Sequence, residues 1–445
     1  MKLIRYTQSA QSVFFQTFSQ TFFYSALQMA VQTQKTINVF IHNLHPSTLK
    51  LSAVSSDESD CFKLQLNEYP ERALLLVEPD DYIVLNHSPD QAYLDYLIDI
   101  GIGTRNLLIP SPSHQGESLS EKVLKDKSLL AFLQRLVEQG NQVVLHPYMS
   151  TPLEAKIAQI IKGTVNGPPP ELSLKVNSKI YLPTLLHELA LPVPEYEIVN
   201  SMKVVETAKK FIAQYDQIII IGNHTYGGLA VWPITNQAEL NALTINLSQC
   251  NTEERFLVEK RYDVLCSPNI QYLISESAIQ ELGMSDQILD QAMKHHGNTY
   301  PSSATQLETL WHNSRRLCEA LQTQGYRGLL GLDFIETTEG KVFAVDINGR
   351  ANASSFGLYV LRKLFPDSYP EKHLIMLTHL NIGKPATFTE LRDILGHNLF
   401  DLQTRQGILP YNTGFLQWGK FSAIIIANTQ QESERLHRFL KRLLM

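Results

Sequence analysis

The chain has 445 residues, 44% of them hydrophobic, and that length exceeds one typical domain, so two or three globular units with ample core are expected. A formal net charge of −6 without any Lys/Arg block argues against nucleic acid as the main partner and leaves a small-molecule substrate as the natural one. Cys61, Cys250, Cys266 and Cys318 have no metal-ligand spacing, and no apolar run reaches the ~18 residues of a bilayer span. These features exclude structural zinc and a transmembrane segment and predict buried thiols in a reducing, cytoplasmic setting.

Residues 12–34 carry Val13, Phe14, Phe18, Phe22, Phe23, Leu27 and Val31 near helical spacing, which predicts a helix packed on the first domain within a helical or irregular segment, residues 1–60. Strand-like runs at residues 73–77, 82–85, 106–109 and 143–146 alternate with helical patterns at 91–97 and 153–161. They predict an open α/β unit over residues 61–166. Gly167, Pro168, Pro169 and Pro170 make the sharpest break, because consecutive prolines oppose regular helix. The next unit is expected over residues 171–375, and a small α/β unit over 376–445.

In the middle unit, Asn177, Ser178 and Lys179 open a helical pattern over residues 182–189, and a lysine at a helix N-terminus suits an anion. Residues 217–231 read as strand, flexible turn and strand, with Gly227 and Gly228 in the turn, whose backbone N–H groups can close over phosphates. Another strand over residues 256–259 runs into Lys260, Arg261, Tyr262 and Asp263. His295 and His296 are adjacent, so they point apart, and a loop bordering a substrate pocket is expected there instead of a zinc site. A helix over residues 307–321 follows.

The chemistry is named by residues 328–355. Two apolar runs, 331–336 and 341–348, flank the turn cluster Thr337, Thr338, Glu339 and Gly340. Pairing Glu336 with Lys341 sets Asp333 opposite Ala344 and Gly331 opposite Asp346. Asp333 and Asp346 then become diagonal neighbours about 7–8 Å apart, with Asn348 on the same face and Gly331 leaving room for an ion. An isolated pattern of this kind is usually a solvated hairpin. Here both acids interrupt half-buried strands, where an uncompensated charge is costly, and three hard oxygen donors suit magnesium. Arg350 follows closely enough to put a forked guanidinium on a carboxylate or phosphoryl oxygen.

The strings G-L-D-F and V-D-I-N-G-R resemble the metal-binding hairpin of the ATP-grasp superfamily, and N-S-K, a helix, then L-P-V-P resembles the entrance to the ATP-grasp domain. With the flanking units, the chain resembles the subgroup of carboxylate–amine ligases that carry a pre-ATP-grasp domain and a short C-terminal domain. The resemblance implies a mixed α/β (α+β) chain in which an open pre-ATP-grasp unit precedes the ATP-grasp fold. It further implies ATP and two magnesium ions, replaceable by manganese, on Asp333, Asp346 and Asn348. Lys179 and the Gly227–Gly228 turn would hold phosphates. Glu259 and the backbone of Lys260, Arg261 and Tyr262 would read adenine between Leu257 and Leu332, Asp263 would meet the ribose, and Arg350 with Lys179 would act catalytically. The implied partners are a small carboxylate and an amine, such as an amino acid or peptide, in a chain that can form a homodimer. One departure stands out: the family's second phosphate-binding lysine is replaced near Ile221, Gly222 and Asn223, which admits a silent or regulatory ATP-binding protein as the alternative.

Overall fold

The computed structural model describes residues 35–44, 66–111, 117–223, 230–247 and 252–444. The helix expected over 12–34, the Gly227–Gly228 turn, Cys61 and Cys250 lie outside the described residues.

The first unit is a five-stranded parallel sheet built from β1 (Thr36–Ile41), β2 (Tyr82–Val84), β3 (Leu107–Leu108), β4 (Gln142–Pro147) and β5 (Thr164–Val165), in the order β3-β2-β1-β4-β5. Apolar strand residues such as Val39, Ile41 and Leu145 are fully buried, as a sheet covered on both faces requires. Two of the covering helices start on side-chain caps. Asp90 accepts from the N–H groups of Ala92 and Tyr93, and Thr151 pairs reciprocally with Glu154. Because β1 is the centre of this sheet, the boundary expected near residue 60 is corrected: the preceding segment supplies a core strand. The strand expected at 73–77 is also corrected, since Tyr69–Leu75 form a 3-10 helix whose side chains are all buried. Its apolar run fits a fully enclosed turn of helix as well as a strand, and periodicity cannot separate the two over so few residues.

A four-stranded sheet follows from β6 (Tyr196–Asn200), β7 (Ile218–Gly222), β8 (Val231–Ile234) and β9 (Arg255–Lys260), ordered β6-β9-β7-β8. The large sheet takes β10 (Val264–Cys266), β11 (Pro268–Ile274), β12 (Ile279–Leu289), β13 (His295–Tyr300), β14 (Gly328–Thr337), β15 (Val342–Asn348), β16 (His373–Asn381), β17 (Gly407–Tyr411) and β18 (Lys420–Ala427). Strands β16 to β18 continue this sheet through β13, so the boundary expected at 375/376 falls inside β16 and the tail is no separate layer. His295 and His296 lie on strand β13, not on a loop.

One hydrophobic core runs from the 3-10 helix (Leu74, Leu75) through Phe356 of the helix Ala353–Leu364 to Ile424 and Ile425 of β18. This shared core locks the first unit against the far end of the large sheet. It thereby decides which side chains of the first unit reach the cavity between the sheets.

Candidate active site

A cavity of about 660 Å³ opens between the four-stranded sheet, the large sheet and the first unit. Lys179, Glu259, Lys260, Arg261, Tyr262, Asp263, Asp333, Asp346, Asn348 and Arg350 all line it.

The hairpin β14–β15 forms its floor, in a register the sequence did not reveal. Phe334 pairs with Ala344, whereas Asp333 pairs with Asp346 and Gly331 with Asn348, so Val345 is an extra residue in a β-bulge. The bulge brings the two carboxylates into direct opposition instead of a diagonal. Burial first, and then the facing Asp346, push the Asp333 carboxyl up to about 6. The Lys179 ammonium closes onto Asp346 as an ion pair, and Asn269 and Asn348 donate amide N–H groups to Asp333, the latter at 3.0 Å. Gly331 does not leave room for an ion. A Cβ there would meet Asn352 Nδ2 at 2.4 Å and Gln271 Nε2 at 2.6 Å, so its role is to admit an amide network.

That network was missed by sequence reasoning. Gln271 donates to Asn269 Oδ1 at 2.5 Å and to Asn352 Oδ1 at 2.9 Å, and Ser355 Oγ donates to Gln271 Oε1 at 2.6 Å. The available signal was Asn269 and Gln271 alternating with Ile270 and Tyr272, which put two amides on one face of a buried strand.

The Asn177–Lys179 turn is fixed from both sides. Asn177 Oδ1 accepts from Gly349 N at 3.1 Å and from Arg350 at 2.5 Å. Ser178 Oγ donates to Asn223 Oδ1 at 2.6 Å, and Lys179 N donates to Asn223 O at 2.9 Å. The Asn223 side-chain oxygen is therefore an anchor for the turn. Where a second lysine was expected, Ile219 and Ile221 face the cavity while Ile218 and Ile220 are buried in the core behind the sheet.

On the opposite wall, Glu259 is buried between β6 and β7, and burial followed by Glu195 pushes its carboxyl up to about 8. Lys260 N donates to Glu195 O at 2.9 Å and Arg261 N to Gln217 O at 3.1 Å, so these two N–H groups are already engaged. Of the backbone groups expected to read adenine, these two donors are therefore already spent within the protein. Tyr262 donates to Glu195 at 2.5 Å and packs on Phe343 at 4.8 Å, and Asp263 accepts from Gln217 at 3.3 Å. Leu332 is wholly buried in the core on the other side of the sheet, and neither it nor Leu257 lines the cavity. The apolar lining comes instead from Ile219, Ile221, Val231 and Leu265.

The first unit adds residues that no motif announced. Tyr148, just past the carboxyl end of β4, accepts from Arg350 Nε at 3.1 Å, and Arg72 from the 3-10 helix lies over the Tyr148 ring at 4.6 Å. Burial raises the Tyr148 phenol, but the Arg350 and Arg72 guanidiniums outweigh it and hold the hydroxyl below its usual range.

A parallel-sheet unit, a small clasping sheet and a large sheet whose hairpin presents opposed acids accompany two domain matches: the chain carries a pre-ATP-grasp domain ahead of an ATP-grasp domain. Residues 70–162 match the pre-ATP-grasp domain, and residues 194–348 match the family described as L-aspartate–L-methionine ligase, ATP grasp. A curated relative, the [butirosin acyl-carrier protein]–L-glutamate ligase of Niallia circulans, is 23% identical over 293 residues, a match spanning 63% of this chain and 63% of the relative. Among solved structures, the N5-carboxyaminoimidazole synthetase of Staphylococcus aureus is similar with TM-score 0.55 and 11% identity, covering 92% of this chain and 97% of that one. The carboxyaminoimidazole ribonucleotide synthase of Aspergillus clavatus, solved complexed with ATP, gives TM-score 0.54 and 12% identity over 92% and 99% of the two chains. These structural likenesses concern the fold. No helix among the described residues is long and apolar enough to cross a membrane.

Proposed function

We propose that this protein is an ATP-dependent carboxylate–amine ligase that forms an amide through an acyl phosphate, with an amino acid among its substrates. The observation that carries this reading is the opposed pair Asp333 and Asp346 on the cavity floor, with Lys179 against one acid and Arg350 beside Asn177. The names of the matched family and of the curated relative, both amino-acid ligases, support it.

The donor set fits magnesium. Two carboxylates and the Asn348 carboxamide offer hard oxygens, and the opposed acids face each other with one ammonium, that of Lys179, on Asp346. Among the described residues no third His, Cys, Asp or Glu joins them, which leaves the remaining positions of an ion to water and to the oxygens of the nucleotide. Bound there, magnesium would neutralise phosphate charge as it develops during transfer.

The chain's own residues then divide the work. Lys179 turns from Asp346 to the phosphates, and Ile219, Ile221, Val231 and Leu265 enclose the base. Glu259 and the backbone of the segment through Tyr262 offer its polar contacts. The substrate carboxylate attacks the γ-phosphorus, the bond to the β-phosphate oxygen breaks, and ADP leaves. Arg350, aimed by Asn177 and Tyr148, holds the acyl phosphate while the amine displaces phosphate. No protein nucleophile is needed.

The test is magnesium-dependent ADP release across acid–amine pairs, with Asp346→Ala beside the wild type. ADP that appears only with particular pairs and is lost in the variant supports the ligase, whereas equal release from Asp346→Ala sinks the metal assignment. The apolar Ile221 at the place of a second lysine favours one rival, a nucleotide-binding protein without turnover. Tight ATP binding with no ADP from any pair would select that rival.

A further inference from the structure

The adjacent histidines His295 and His296 take no part in the hairpin chemistry, and the fold sets them beside a second irregularity. Leu289 pairs with His295 while Ile288 pairs with Gly297, so His296 is an extra residue in a bulge of β13. On β16, Leu377 pairs with Ala423 and Leu380 with Phe421, so Thr378 and His379 stand against the single residue Ser422 in another bulge. Gly297 pairs with Leu377, which puts the two bulges side by side in the sheet. Bulges re-aim side chains, and His379 takes the left-handed region, with φ 57°, that a strand residue rarely adopts.

At these bulges polar groups face the cavity that holds Lys179 and Asp333. Gln287, Lys294, His295 and His379 line it on this flank. Asn298, only 1% exposed, fixes the ring of His295: Nε2 lies 2.9 Å from Asn298 Oδ1, an acceptor, so Nε2 carries the proton and Nδ1 keeps a lone pair. His296 is tied instead to Asp290 at 3.0 Å, and Asp290 also accepts from the N–H groups of Ala292 and Lys294, both at 2.9 Å. Among the described residues, the Lys294 ammonium has no ion-pair partner and the Gln287 carboxamide no hydrogen-bond partner. Lys420 adds a second cation, since strand alternation puts it on the face of Ser422, another lining residue. Desolvation of its ring, and then the Lys294 and Lys420 ammoniums, hold His379 down to about 4, so at neutral pH it is uncharged and offers one N–H. The flank is therefore cationic, with a neutral donor at His379 and an acceptor at His295 Nδ1.

In the order β14-β11-β12-β13, three strand spacings of about 4.8 Å separate this flank from the opposed acids, about 14 Å in all. The γ-phosphate and the acyl group take the part nearest Asp333, and an extended chain covers the rest at about 3.3–3.6 Å per residue.

We propose that this flank is the receptor for the carboxyl terminus of the amine substrate. Lys294 and the His379 N–H meet the free α-carboxylate, and His295 Nδ1 accepts from the N–H beside it. The proposal rests on the ligase reading for the identity of the reaction, while the receptor itself stands on the two bulges and the groups they present. Two sources carry this chemistry, a single amino acid and a short peptide.

Calorimetric binding to the full chain, loaded with a non-hydrolysable ATP analogue and magnesium, tests this without turnover. The probes are the proteinogenic amino acids, and dipeptides and tripeptides ending in each, every one titrated against its carboxamide. The wild type should prefer the free acid of at least one probe by about 10-fold or more, the lower end for a charged hydrogen bond because Lys294 is exposed. Lys294→Ala should bring that ratio below about 3-fold, and Lys294→Arg should keep most of it. His295→Phe should weaken acid and carboxamide alike by about 2- to 12-fold, the scale of one neutral hydrogen bond, and leave their ratio unchanged. The analogue's own affinity, unchanged in each variant, separates these effects from a loss of fold. The probe length at which the preference appears names the source.

A wild type without a preference for any probe, or a ratio that Lys294→Ala leaves unchanged, overturns the receptor. Should ADP release remain substrate- and magnesium-dependent in that case, the ligase stands without it. Should the preference depend on Lys294 while no acid–amine pair releases ADP, the receptor stands and the ligase reading falls.

Discussion

The two ends of the cavity are built in opposite ways. The floor is acidic, made from one hairpin, and its acids Asp333 and Asp346 are thirteen positions apart in the chain and directly opposed across it. The far end is basic and aromatic, and it draws Arg72, Tyr148 and Arg350 from three separate segments that meet only because one core joins the first unit to the helix Ala353–Leu364. A site made by a hairpin depends on strand register. A site made by convergence depends on everything that packs behind it.

The comparison breaks most severely at the floor. Asp346→Ala removes one of the opposed acids and the partner of Lys179, and a loss of ADP release of at least about 100-fold is expected with the far-ultraviolet spectrum unchanged. Leu332→Ala should cost about 2–5 kcal/mol in chemical denaturation, because that side chain is fully buried in the core, while leaving the affinity for ATP near the wild-type value. A large fall in ATP affinity without loss of stability would restore Leu332 to the adenine slot. Gly331→Ala should destabilise by about 1–3 kcal/mol, because the new methyl displaces Asn352 and Gln271, and Gln271 holds Asn269, a donor to Asp333.

The smallest effect separates the ends by pH. Glu71 beside Arg72 is pushed up to about 7, and Glu259 on the opposite wall to about 8, both chiefly by burial. An acid whose folded value exceeds its unfolded value of about 4.5 favours folding fully below that pH and loses the contribution as pH rises through the folded value. Wild-type unfolding free energy should therefore fall between pH 5 and 8 through these groups. Glu71→Gln should flatten the slope up to about pH 7, and Glu259→Gln the slope that continues to about pH 8. An unchanged slope in both variants would show that other groups set the dependence.

Several elements were legible because their signals are local. Alternation and turn residues marked β14 and β15, and helical spacing marked Pro152–Ile161 and Leu307–Thr323. The residues 73–77 misled because a short apolar run does not distinguish a strand from an enclosed turn of helix. The hairpin's face was correct but its pairing was not, since Val345 is apolar like its neighbours and nothing in its type announces a bulge.

By itself, then, the sequence determined which chemistry is present: two acids, an amide, a lysine and an arginine at spacings that a hairpin and a helix start bring to one cavity. Only the tertiary structure decided how they meet. The bulge set Asp333 against Asp346, and the core behind the 3-10 helix carried Arg72 and Tyr148 to Arg350. Alternation and capping act over a few residues and leave a trace in the order of side chains. The meeting of Arg72 and Arg350 on Tyr148 depends on how separate segments pack, which no local pattern records.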